Sequence, residues 1–73
     1  MDANTERLVN DMMVKGRIYI EAIKKRDQAL SECFQDETPD ADTRLTAAAT
    51  AADQAHVEYD KTVTALRAAR RKA

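Results

Sequence analysis

The chain has 73 residues, 34% of them charged, with a formal net charge of −1, one glycine, one proline, one cysteine and no tryptophan. Fourteen residues are alanine and three are aromatic, so a core has little bulk to draw on, and a chain this short buries only about 60% of its unfolded surface and usually needs a partner or a copy of itself. Dominance of Ala, Lys, Arg, Asp and Glu excludes β-structure and disorder and points to long helices, while the lone Cys33 excludes a disulfide-stapled secreted mini-protein.

Residues 1–14 carry three acids and one arginine, for a net −2. They hold no apolar run of the kind a signal peptide needs, and nothing downstream approaches the roughly 20 apolar residues that span a bilayer. The expectation is a cytoplasmic protein with no membrane segment. Charge then alternates in blocks: +4 over residues 15–26, −8 over 27–60 and +5 over 61–73. The hairpin drawn below is therefore a charge dipole.

The first predicted helix covers residues 4–35. Its heptad lines are Val9, Gly16, Ile23, Leu30 and Met12, Tyr19, Arg26, Cys33, and a third line, Met13, Ile20, Asp27, Phe34, makes the apolar stripe wider than one partner helix needs. Arg26 and Asp27 interrupt it, either fixing register or partner orientation at some cost in stability or lying at the rim of a short interface, the rim being the preferred reading. Residues 36–38 form the turn, where Thr38 before Pro39 reads as an N-cap with proline at the first helical position. The second predicted helix, residues 39–71, starts with Asp40 and Asp42 at the positive end of its dipole and ends with Arg67, Arg70, Arg71 and Lys72 at the negative end. Its lines are Leu45, Ala52, Tyr59, Leu66 and Ala48, Ala55, Thr62, Ala69, with Ala49, His56 and Val63 alongside.

The fold class is all-α: residues 1–73 form one antiparallel two-helix hairpin, expected to assemble into a four-helix bundle or a higher oligomer. Residues whose numbers sum to about 75 face one another. Thus Leu30 meets Leu45, Ile23 meets Ala52, Gly16 meets Tyr59 and Val9 meets Leu66. Glycine in a helix interior costs about 1 kcal/mol relative to alanine, and room for the Tyr59 ring is a reason to accept that. The alanine-rich second helix cannot also cover Met13, Ile20 and Phe34, so another set of helices must. With Met12, those residues are the expected interface.

Nothing in the chain reads as catalytic. Cys33 and His56 would lie about 20 Å apart along the hairpin at 1.5 Å per residue, too far for a nucleophile and its base; Cys33 reads as a small buried group near the turn and His56 as a half-buried flank residue. The acids Asp36, Glu37, Asp40 and Asp42 lack the alternation and the glycine of a calcium loop. No metal or cofactor is expected. Lys15, Arg17, Lys24 and Lys61 form a basic zone that helix capping does not explain, with Tyr19 on the same stretch, a combination suited to stacking a base while cations meet phosphate. The acidity of the other half argues against duplex nucleic acid.

Glu21-Ala22-Ile23-Lys24, followed by Leu30, Phe34, Pro39 and Asp40, resembles the helical-hairpin domain of phage sponge proteins that sequester cyclic nucleotide signals of bacterial antiphage defence. The resemblance covers about 30 residues. It implies that Lys24 helps hold phosphate and that small oligomers build pockets between hairpins. Met12-Met13-Val14-Lys15 stands where that family has an aromatic, proline-rich approach, and Tyr59 is out of register with its helix-two aromatic. Two functions are therefore expected of a non-enzymatic binding protein. One is self-association with sequestration of a cyclic nucleotide or another acidic ligand. The alternative is an adaptor, chaperone or inhibitor that takes a protein partner in a groove of Met12, Met13, Ile20 and Phe34.

Overall fold

A computed structural model describes residues 2–72. Two helices make up the fold, α1 (Ala3–Gln35) and α2 (Pro39–Lys72), joined by a three-residue turn. The hairpin is long and thin, 53 × 13 × 12 Å. Among the described residues no helix is long and apolar enough to cross a membrane.

Side chains fix the helix ends. Asp2 is the N-cap of α1, its Oδ1 accepting the Thr5 N–H at 2.7 Å, one residue earlier than the sequence pattern alone suggests. The helix stops at Asp36, whose backbone is extended and whose N–H donates to the Glu32 carbonyl at 2.9 Å. Thr38 then caps α2 as expected, its Oγ1 accepting the Ala41 N–H at 3.1 Å. Asp40 and Asp42 lie in the first turn of α2 and Arg70, Arg71 and Lys72 in its last, each sign of charge at the dipole end that favours it.

Contacts between the helices establish the register. A Cβ added to Gly16 would lie 3.2 Å from Tyr59 Cε1, Tyr19 and His56 have ring centroids 5.1 Å apart, and Cys33 Sγ donates to Asp42 Oδ1 at 3.4 Å. All three pairs sum to 75. Glu32 and Arg44, summing to 76, form an ion pair at 3.8 Å.

The buried residues are Ala29, Ala41, Ala52, Ala55, Thr62 and Leu66. Four of the six are alanine, so the backbones approach closely and dispersion between them replaces bulky interdigitation. Thr62 is tolerated because its hydroxyl donates to the Tyr59 carbonyl at 2.6 Å, leaving no orphaned polar group. Leu66 is the one large apolar residue among the buried set, worth about 1.5–3 kcal/mol by area.

Three details differ from the sequence pattern. Leu30 is 41% exposed while its neighbour Ala29 is buried, so near the turn the contact runs through the position before the heptad line. His56 is exposed, pairing with Asp60 at 3.4 Å. Cys33 is half-buried, with a hydrogen bond a hydrophobe would not make. Arg26 and Asp27 pair with each other at 3.4 Å.

Candidate functional site

Two surfaces on opposite flanks of α1 offer themselves. The first is the third heptad line. Met13 is 50% exposed, Ile20 54% and Phe34 79%, and Leu30, 41% exposed, fills the gap between Ile20 and Phe34. Helix α2 does not cover them: Ala49 and Val63 are short and half-buried, and the exposed His56 lies against Tyr19. Phe34 borders a recess of about 480 Å³ with Cys33, Glu37, Thr38, Pro39 and Asp42. Met12 belongs to the contact line and is half-buried within the hairpin, whereas Met13 stands on the strip.

The second surface is a groove of about 500 Å³ floored by Ile18, Ala22, Ala48, Ala51 and Ala55, with Arg17, Glu21 and Lys25 at its rim. A recess of about 240 Å³ shares Ile18, Ala51 and Ala55 with this floor and adds Lys15, Gln54 and Glu58. Lys15, Arg17 and Lys25 make no ion pair among the described residues; Glu21 and Glu58 are engaged by Lys24 at 3.5 Å and Lys61 at 3.2 Å. Ile18 and Lys25 were not picked out by heptad reasoning, because both lie outside the contact lines. The i, i+3, i+7 spacing of Ala48, Ala51 and Ala55 is the signal that could have found the groove.

The expected ligand-binding set is thus only partly assembled. Lys15 and Arg17 share the alanine groove. Lys61 lines a separate shallow depression with Val57, Asp60, Thr64 and Ala65, and Lys24 lines neither. Tyr19 is half-buried, at 5.1 Å from the His56 ring and stacked on Tyr59 at 6.0 Å, so the hairpin already occupies the ring that was to stack on a base.

Two groups have shifted protonation. The Thr5 N–H, then the Thr5 side chain, holds the Asp2 carboxyl below its ordinary value. The hydrogen bond to Asp42 pushes the Cys33 thiol up, helped by desolvation and the charges of Asp42 and Glu37; a thiolate is disfavoured there, the reverse of what a nucleophile needs. Among the described residues no group of three His, Cys, Asp or Glu side chains is placed to hold a metal ion. Compared with known proteins, the chain matches no family model, no curated protein and no solved structure.

Proposed function

We propose that the protein is a non-enzymatic binding module that works by helix-on-helix association, with Met13, Ile20, Leu30 and Phe34 forming its binding strip. The observation that carries this reading is Phe34, a phenylalanine 79% exposed at the end of a strip of half-exposed aliphatic groups. Buried, each of these side chains contributes about 1.5–3 kcal/mol, enough for the strip to drive association; left in water, the strip is a liability. Association should make stability depend on concentration. The melting temperature of the wild type is expected to rise with protein concentration, and that of Phe34→Asp to be lower and independent of it. A concentration-independent wild type contradicts the reading.

A second reading, capture of an anionic ligand such as a cyclic nucleotide, is favoured by the three cations Lys15, Arg17 and Lys25, free of ion pairs among the described residues, around an apolar floor. Calorimetry at low salt with cyclic di- and trinucleotides tests it. Binding that is lost in Arg17→Ala supports this reading, and no heat with any of them removes it.

A further inference from the structure

The distribution of charge along the hairpin indicates what covers the strip. At the open end, residues 2–14 lie beside 61–72 and hold six cations against three acids, a net +3. At the turn end, residues 27–48 hold six acids against Arg44, a net −5. The middle, residues 15–26 beside 49–60, has five cations and four acids and is close to neutral. The two ends lie at opposite extremes of a 53 Å rod, several Debye lengths apart at physiological salt, so they do not neutralise each other within one chain. Neither Arg67, Arg70 and Arg71 nor Asp36, Glu37 and Asp40 form an ion pair among the described residues.

Area points the same way. The hairpin exposes 5613 Å², whereas a compact monomer of 8.2 kDa exposes about 4,500 Å². The surplus of about 1,100 Å² exceeds the roughly 800 Å² that each partner buries in a standard interface. Its radius of gyration, 16.4 Å, is likewise well above the about 11 Å of a globular chain of this length.

We infer that the occupant of the Met13, Ile20, Phe34 strip is a second copy of the chain lying antiparallel, with the arginine-rich open end of each copy beside the acidic turn of the other. This rests on association through the strip and adds its partner and direction. A two-fold axis across the long axis of the rods satisfies both surfaces at once, because a self-complementary strip meets itself while opposite charges meet at both ends. A parallel pair would bury the same apolar groups but set −5 against −5 and +3 against +3.

The direction is read by a spin label at one end. In Cys33→Ser, Gln35→Cys, both changes being at or near the turn and outside the buried set, labels in an antiparallel dimer lie about 35 Å apart where Met13 of each copy faces Phe34 of the other, and about 45 Å apart where the ends are matched, at 1.5 Å of rise per residue. Pulsed dipolar spectroscopy giving a separation above about 25 Å supports the inference, and a shorter one, as in a parallel pair whose labels sit side by side, overturns it while leaving association through the strip intact. A label population with no dipolar coupling, from a protein that sediments as a monomer, overturns both. Raising NaCl from about 50 to about 500 mM should weaken the dimer about tenfold as its end charges are screened; a dimer that tightens as salt rises contradicts the antiparallel arrangement.

Discussion

Gly16 and Tyr59 offer the sharpest test of how the two helices meet. A Cβ at Gly16 would stand 3.2 Å from Tyr59 Cε1 and 3.6 Å from Cδ1, closer than the 3.5–4.0 Å at which carbon atoms attract best. Gly16→Ala gains about 1 kcal/mol of helix propensity and asks the half-buried Tyr59 ring to retreat a few tenths of an ångström, so it should leave stability within about 1 kcal/mol of the parent. Gly16→Leu places three further carbons where the ring lies. Overpacking of that kind costs about 1–3 kcal/mol, and at about 4–8 °C per kcal/mol for a domain of this size the melting temperature should fall by about 4–24 °C. Far-UV circular dichroism melts at one fixed protein concentration measure this. The double variant Gly16→Leu, Tyr59→Ala exchanges volume across the interface and should recover much of the loss, a coupling between residues 43 positions apart in the chain. A Gly16→Leu melt indistinguishable from the parent, or a double variant whose loss is the sum of the two single ones, refutes the pairing.

Leu66→Ala should cost about 2–5 kcal/mol in denaturant unfolding, and a loss below about 1 kcal/mol would show that Leu66 is not buried as described. Thr38→Ala should lose about 1 kcal/mol by removing the cap of α2, with Thr38→Ser close to wild type in the same assay. The lowered pKa of Asp2 means that its cap is intact above the ordinary carboxylate range and is lost as pH falls through the depressed native value. Amide protection at the start of α1, taken relative to the unstructured chain at the same pH, should fall in acid, and Asp2→Asn, which caps without titrating, should flatten that dependence. Because the hydrogen bond to Asp42 raises the Cys33 pKa, iodoacetamide should modify Cys33 more slowly at mildly alkaline pH than it does in Asp42→Ala; equal rates would contradict the bond.

The hairpin is legible in the sequence because its signals are local and agree with one another. Thr38-Pro39 fixes where α2 begins, the heptad lines fix which faces meet, and the single glycine lands opposite the ring that needs its space. Cap chemistry at Asp2 was equally available, since Asp2 stands three residues before Thr5. What escaped the pattern depends on continuous geometry. Leu30 stands exposed and Ala29 takes its place in the contact, an exchange that a seven-letter repeat does not encode. The ligand-binding set suffered from the same limit. Lys15, Arg17 and Lys61 are neighbours in axial level, with Lys24 about two turns away, but level does not fix azimuth, and engagement of Lys24 by Glu21 and of Lys61 by Glu58 is a choice among rotamers. Tyr19 was chosen for its aromaticity; that same property commits it to Tyr59 and His56.

The central claim is that this hairpin is half of a larger bundle closed over Met13, Ile20 and Phe34. Sedimentation equilibrium of the wild type beside Phe34→Asp tests it most directly. The account predicts a wild-type mass of twice the 8.2 kDa chain and a Phe34→Asp variant that is helical but shifted to the mass of one chain. A wild type that sediments as a single chain across the micromolar range, or a Phe34→Asp variant that associates as tightly as the parent, contradicts it.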